Sequence, residues 1–306
     1  MPQLVAARLA SAVVVVLGVV CLVFLLVHLV PGDPVELMLG EGAQGADREA
    51  LRHALDLDKP VWRQLVDYLG GLARGDLGSS LYSRRPVGAV LAERLPPTVE
   101  LAVAGLAVAL VLAVPLGIVA AIRKDSPWDF GAMGFSMLGV SIPNFWLGPM
   151  LILLFSLWLG WLPVSGRSGP ASLVLPALTL GTALAAILSR MIRSTLLEVL
   201  GEDYVRTARA KGLAERRVIV RHALPNAMLP IITLLGLQLG TLLGGAVITE
   251  VVFSWPGVGS LTVEAIQRRD YPVLQACVLL ISLSYVALNI VTDLVYGWVD
   301  PRIRLG

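Results

Sequence analysis

Charge is scarce in this chain. Only 15% of its residues are Asp, Glu, Lys or Arg, against about 25% in an ordinary soluble domain, and a deficit of that size argues against a globule solvated by water all round. Cysteine is limited to Cys21 and Cys277; both fall inside apolar runs, which suits packing residues better than a disulfide or a metal pair. Histidine occurs three times and never opens H-E-x-x-H. No G-x-S-x-G or C-x-x-C is present, and no lysine follows a glycine, so a G-K-[ST] phosphate loop is excluded. Without a nucleophile, metal cluster or nucleotide cradle, the chain is expected to be no enzyme and to bind no cofactor of its own. If ATP drives it, another chain holds the ATP.

Long apolar runs, in contrast, are abundant. About 20 residues rising 1.5 Å each cross a hydrocarbon core about 30 Å thick, and six stretches are long enough: residues 9–30, 101–122, 130–166, 168–189, 223–249 and 271–292. The expectation is an all-α polytopic membrane protein with six transmembrane helices. The first run is longer than a signal-peptide core and ends in H-L-V-P-G-D-P rather than A-x-A, so it is expected to be retained as a helix. The third exceeds one perpendicular span and is expected to hold a span plus an interfacial end.

Orientation follows from Lys and Arg. Arg8 precedes the first run, Arg123 and Lys124 follow the second, and Arg302 and Arg304 follow the sixth. Residues 190–221 hold eight basic and four acidic residues, whereas the short opposite loops carry only Arg167, Arg268 and Arg269. Residues 31–97, with eight basic and ten acidic residues, form a long segment of the kind that crosses largely regardless of charge. Both termini are therefore expected in the cytoplasm. The basic residues are accounted for by topology and imply no nucleic acid. Three regions result: residues 1–30, the N-terminus and first helix; residues 31–97, an extracytoplasmic insertion; and residues 98–306, five helices with a cytoplasmic loop at about 195–225.

The insertion has two amphipathic stretches, Leu51, Ala54 and Leu55 behind Asp47, and Val61, Leu65, Tyr68, Leu69 and Leu72 behind Pro60. They read either as caps on the span ends or as a docking surface for an outer partner. In the third run, S-I-P-N-F-W-L-G-P (141–149) places a proline and Asn144 at membrane depth, where a polar side chain faces protein or water. Asn144, Gln238 and Asn289 are polar positions within apolar runs; they either line a pathway or hydrogen-bond between helices. Glu100, Arg190, Glu250 and Asp293 lie at or near span ends. The lack of a mid-span charge counts against an ion-coupled secondary carrier, although backbone carbonyls can hold Na⁺.

The largest cytoplasmic loop contains D-Y-V-R-T-A-R-A-K-G (203–212). Asp203 suits an N-cap, Lys211 the negative end of a helix, and Gly212 the residue beyond it. A helix from Tyr204 to Lys211, about 12 Å long, is too short to stand alone in water. Its apolar residues Tyr204, Val205 and Ala208, with Leu213, are expected to anchor it in a groove. A second helical piece is expected over 214–223, before Pro225.

The motifs in this loop resemble a known signature. Arg206-Thr207-Ala208, three residues, Gly212, nine residues, then His222-Ala223-Leu224-Pro225 is similar to E-A-A-x3-G-x9-I-x-L-P of ABC-importer permeases, with Arg and Thr for its first two letters and His for Ile. R-T-A-R-A-K-G resembles the form found in the dipeptide/oligopeptide (and glutathione) permease family. L-V-P-G-D-P (29–34), G-D-L-G-S-S (75–80), G-G-A-V-I-T-E-V-V-F-S-W-P-G-V-G (244–259), R-D-Y-P-V (269–273) and D-P-R-I-R (300–304) resemble the first permease subunit of that family. The resemblance implies a multi-pass subunit in a bacterial cytoplasmic (inner) membrane. Its implied partners are a second homologous permease, two ABC ATPase subunits that use ATP and Mg, and an extracytoplasmic substrate-binding protein. It also implies that Asp203, Tyr204, Val205, Arg206, Thr207, Ala208, Arg209, Lys211, Gly212, Leu213 and Pro225 form the ATPase-coupling segment. Peptides are the implied cargo; glutathione or nickel complexes on the same machinery, or a self-sufficient carrier, remain open.

Overall fold

A computed structural model describes residues 13–25, 35, 45–54 and 57–299. Among these no strand forms; an isolated bridge joins Ser79 and Pro86. The helices are α1 (Val13–Leu25), α2 (Gly45–Ala54), α3 (Val61–Ala73), α4 (Val87–Ile122), α5 (Pro127–Ser141), α6 (Asn144–Leu151), α7 (Pro170–Leu200), α8 (Asp203–Ala210), α9 (Leu224–Val252), α10 (Val258–Arg268) and α11 (Tyr271–Val299). A π-helical segment, Ile152–Trp158, continues α6. A helical turn, Glu215–Arg217, and a second π-helical segment, Val218–Ala223, lead into α9. The chain is an all-α polytopic membrane protein.

Among the described residues, three helices are long and apolar enough to cross a membrane: α4, α7 and the Tyr271–Thr292 part of α11. Two bent pairs pass the same test when each is taken together. The third apolar run, expected to be a span plus an interfacial end, is broken into α5 and α6 with its π-helical continuation, at an angle of 106°. The break has a local cause. A residue before proline is driven out of the α region, and Ile142, ahead of Pro143, has ψ 115°. A second bend, of 45°, separates Glu215–Met228 from Pro230–Gly236, around Pro230. Of the first apolar run, residues 13–25 are described; both its ends lie outside the described residues, as do the motifs at 29–34 and 300–304.

The chain forms two compact units, Met1–Pro97 with Pro256–Val286, and Thr98–Trp255 with Ala287–Gly306. In the first unit, α10 and the first part of α11 fold together with the residues up to Pro97. In this unit the start of α4 (Val87, Leu91) packs on Val258, Leu261 and Ala265 of α10 and on Val273, Ala276 and Cys277 of α11. A polar clip holds the connecting loop. Asp270 is 4% exposed and accepts Ser80 Oγ at 2.5 Å and the Leu81 and Tyr82 amides at 3.1 and 3.4 Å. Ser80 Oγ in turn accepts the Ser83 amide at 2.9 Å. Arg268 lies 4.1 Å above the Tyr82 ring and pairs with Glu264 at 2.7 Å. The motifs at 75–80 and 269–273 are thus two halves of one contact.

In the second unit α7 is the hub. Its Leu180, Leu184, Ala185, Leu188 and Ile192 bury against Leu101, Ala109 and Ala113 of α4 and Ile231, Leu242 and Ala246 of α9; it also packs on α5 and α6. The most apolar stretch of α7 is 61% buried, against 33% for α4, so α7 is enclosed by its neighbours while α4 keeps a face for lipid. Small residues set the spacing. A Cβ on Gly181 would lie 2.5 Å from the Gly105 carbonyl oxygen, and one on Gly236 would lie 2.0 Å from a Thr292 methyl. Close approach of this kind suits helices in lipid, where dispersion and hydrogen bonds replace the hydrophobic drive between helices. Exposed Val103 and Val111 on α4 and Phe130 and Met137 on α5 suit lipid contact, and exposed Trp128, Trp158 and Trp161 are residue types favoured at membrane interfaces.

Asp270→Ala leaves a buried hydroxyl and two amides without their acceptor. Hydrogen bonds to a charged group are worth about 1.5–3 kcal/mol each, so loop 79–86 should loosen and become the first site cut in limited proteolysis. Asp270→Asn, which keeps one acceptor oxygen, should give an intermediate rate. An unchanged cleavage pattern in the Ala variant contradicts the clip.

Candidate functional site

The loop between α7 and α9 is built around a small apolar cluster. Val205 and Ala208 of α8, 0% and 7% exposed, meet Ala121 at the end of α4, Leu196 of α7, and Val218, Ala223 and Ala227 on the way into α9. Leu197, Val199, Leu200 and Leu213 close its rim. A helix of eight residues is marginal in water, and burial of this one stripe supplies the missing stability. Val205 and Ala208, expected to anchor in an outside groove, face the chain's own helices instead. Their i, i+3 spacing puts both on one face of α8, and the ends of α4 and α7 and the start of α9 cover that face.

The helix begins one residue earlier than its sequence suggests. Glu202, with β-region backbone angles, occupies the N-cap without a capping side-chain bond, and Asp203 is the first helical residue. An acidic residue there still complements the helix dipole. The Asp203 carboxylate lies 3.4 Å from Arg206 Nη1, in an exposed pair of the sort worth about 0–1 kcal/mol. Thr207 Oγ1 donates to the Asp203 carbonyl at 2.9 Å. At the other end Gly212 adopts φ +76°, its amide donates to the Arg209 carbonyl at 2.9 Å, and the Leu213 amide reaches the Ala208 carbonyl at 3.4 Å. That left-handed residue turns the chain sharply away from the helix.

Two polar contacts tie α8 to the segment after it. Arg209 grips Glu215 with Nε and Nη2 at 3.1 and 2.6 Å, so its charge is already engaged within the chain, and this hydrogen bond raises the Arg209 pKa above its ordinary value. The Tyr204 hydroxyl accepts from Asn226 Nδ2 at 2.8 Å and donates to the His222 carbonyl at 3.4 Å. Between them the chain widens into the π-helical segment Val218–Ala223. Pro225, the second residue of α9, has no amide hydrogen and a ring that crowds the carbonyl four residues back; a wider turn accommodates it. The outward face of α8 keeps Tyr204, Arg206, Thr207, Ala210 and Lys211 exposed. It is a rigid, basic, aromatic-bearing ledge, with exposed Arg216, Arg217, Val220 and Arg221 beside it.

Asn144, Gln238 and Asn289 lie on α6, α9 and α11, each half-buried, with Asn144 opening α6 at the 106° break. Two polar pairs that the sequence does not advertise are built on more deeply buried carboxylates. Glu250, read as a span-end residue, is 0% exposed near the end of α9 and accepts Thr98 Oγ1 at 2.7 Å. Asp129 is 2% exposed and is bound by Arg193 of α7. Their partners lie 152 and 64 residues away, so no local pattern could have paired them. Among the described residues no group of three or more His, Cys, Asp or Glu side chains is placed to hold a metal ion.

The profile of the binding-protein-dependent transport system inner membrane component matches residues 113–305, and that of the N-terminal part of such membrane components matches residues 1–102. The dipeptide transport system permease protein DppB of Escherichia coli (strain K12) is 44% identical over 336 residues, covering 99% of this chain and 99% of the relative. The di/tripeptide transport system permease protein DppB of Pseudomonas aeruginosa (strain UCBPP-PA14) is 44% identical over 333 residues with the same coverage. The glutathione transport system permease protein GsiC of Escherichia coli (strain K12) is 43% identical over 297 residues, covering 97% of each chain. Among solved structures, an inward-facing conformation of the MetNI methionine ABC transporter superposes with a TM-score of 0.59 at 18% identity, over 69% of this chain and 96% of that one; at that identity the likeness concerns the fold. With apolar spans, two matching family profiles and relatives of one kind along 97–99% of its length, this chain belongs to the inner-membrane components of binding-protein-dependent transport systems, among the dipeptide and oligopeptide permeases.

Proposed function

We propose that this chain passes di- or oligopeptides across a bacterial cytoplasmic membrane as half of the pathway of an ABC importer, and that it receives the work of ATP hydrolysis through residues 203–213. The observation that carries the reading is the construction of α8. Its apolar stripe is held by α4, α7 and the start of α9, while Tyr204, Arg206, Thr207 and Lys211 face outward. A push on that ledge is passed to three membrane helices at once. Arg206 and Lys211 are the cations offered to a partner; exposed pairs contribute about 0–1 kcal/mol each, so the Tyr204 ring and the shape of the ledge carry most of the docking.

In this reading the chain spans the membrane six times with both termini in the cytoplasm. The distribution of Lys and Arg supports it. Residues 1–30 form the first helix with its cytoplasmic lead, residues 31–97 the outer insertion, and residues 98–306 the five-helix core with the coupling loop at about 195–225. The partners are a second homologous permease, two ATPase subunits and an extracytoplasmic substrate-binding protein. ATP and Mg act on the ATPases, and this chain binds no cofactor. Asn144, Gln238 and Asn289 supply polar groups to the pathway. Glutathione is the second reading for the cargo, favoured by a glutathione permease at 43% identity over 97% of the chain.

A tagged copy purified in mild detergent from its host should bring down a second permease and P-loop ATPases, and the assembly in proteoliposomes should take up a labelled dipeptide only with ATP and the binding protein. A chain that purifies alone and transports without ATP contradicts the proposal. Glutathione uptake that outcompetes dipeptide uptake selects the second cargo.

Gly212 gives a sharper prediction. A Cβ there meets open space, so the penalty of substitution comes from φ +76° alone, about 1–2 kcal/mol for an L-residue and more for a β-branched one. Gly212→Val should insert normally yet lose most uptake, and Gly212→Asn, which tolerates the left-handed region, should keep most of it. Uptake per copy of the Val variant equal to wild type contradicts the role of this turn.

A further inference from the structure

The seam between α5 and α7 differs from the apolar packing around it. At its end nearest the α8 cluster, the buried Asp129 carboxylate receives Arg193 Nε and Nη2 at 2.6 and 2.7 Å and the Asp125 amide at 3.0 Å. Two turns along α5, Ser136 Oγ and Ser189 Oγ meet at 2.7 Å, both 0% exposed. One turn further, a Cβ on Gly139 would lie 2.8 Å from that of Ala186. Residue numbers rise on α5 and fall on α7, so the helices run antiparallel along one continuous line of contacts.

Such a seam resists sliding. A bidentate guanidinium–carboxylate pair fixes orientation as well as distance, and separating it would leave a buried carboxylate uncompensated. A shift of either helix by one residue would also unpair the two serines and drive Gly139 off the one spot where Ala186 fits. Apolar side chains would hold two helices together equally well, so affinity alone does not call for this chemistry. The position of the pair is informative. Arg193 precedes Leu196 by three residues on α7, and Leu196 is part of the cluster that grips Val205 and Ala208 of α8.

We infer that Asp129 and Arg193 are positioning residues for coupling: they lock α5 to α7 so that a displacement of α8 moves both helices as one piece. The inference rests on the proposed reading of α8 as the contact with an ATPase.

The test uses the complete transporter in proteoliposomes. Cys21 and Cys277 are replaced by Ala, Ser136→Cys and Ser189→Cys are introduced, and oxidation ties α5 to α7 midway along the seam. The disulfide should form, and uptake should stay within about twofold of the reduced protein, because helices that do not shear past each other lose nothing from a covalent tie. Uptake that stops on oxidation and returns on reduction overturns the inference; so does failure of the disulfide to form. Arg193→Lys, which keeps the charge and loses the fork, should hydrolyse ATP at a near-normal rate while uptake per ATP falls about tenfold, and the exchange Asp129→Arg with Arg193→Asp should recover part of it. Equal loss of hydrolysis, uptake and assembly in Arg193→Lys means a merely structural role and overturns the coupling claim. If even the unmutated assembly shows no ATP-driven uptake, the proposed function fails and the coupling role with it, while disulfide formation still reports on the seam.

Discussion

An eight-residue helix cannot hold itself together in water, and the chain depends on how this constraint is met. Two side chains, Val205 and Ala208, bury α8 against α4, α7 and the approach to α9. Everything polar in the loop is arranged around that burial. Arg209 closes onto Glu215, Tyr204 bridges to Asn226 and the His222 carbonyl, and Gly212 turns the chain where a residue with φ +76° is required. The apolar stripe is spent on the chain's own helices, which leaves the opposite face as the surface available to a partner. A helix whose stripe was instead offered outward would be held only while the partner was bound, and would transmit no displacement to the spans on release.

The membrane imposes the second constraint. In hydrocarbon every backbone polar group must be satisfied internally, and helices attract one another through close fit rather than through release of water. This accounts for the glycines at the α4–α7 and α9–α11 approaches and for the burial of α7. It also accounts for the form of the polar contacts. Asp129 with Arg193 and Thr98 with Glu250 are each paired across helices, since a buried carboxylate without a partner would be costly. Three prolines mark where the α ladder gives way: Pro143 at a sharp break, Pro230 at a shallower one, Pro225 after a π-helical turn.

Much of this was legible in the sequence where the signal is local. Apolar run lengths located α4, α7 and α11, and the cap residues around D-Y-V-R-T-A-R-A-K-G located α8 to within one residue. The sequence also marked Pro143 as a point of disruption, but run length alone concealed that it divides one apolar stretch into two helices at 106°. What could not be read were pairings set by the fold. Asp270 and Ser80 sit in two separate motifs whose contact spans 190 residues; each motif was visible, their meeting was not. Glu250 looked like a boundary residue because hydropathy falls off near it, whereas helix ends can be fully enclosed by neighbouring chain. The direction in which α8 turns its stripe was equally hidden, since an i, i+3 pair says that a face exists and not which surface covers it.

The central claim is that α8 is clamped to its own spans on one face and meets an ATPase with the other. A photo-crosslinking amino acid placed at residue 206, and separately at residue 205, in the assembled transporter tests it directly. The account predicts that residue 206 is captured by a P-loop ATPase and that residue 205 yields no link to another subunit. A link from residue 205 to the ATPase with none from residue 206 would mean that the helix presents the opposite face, and would contradict the account.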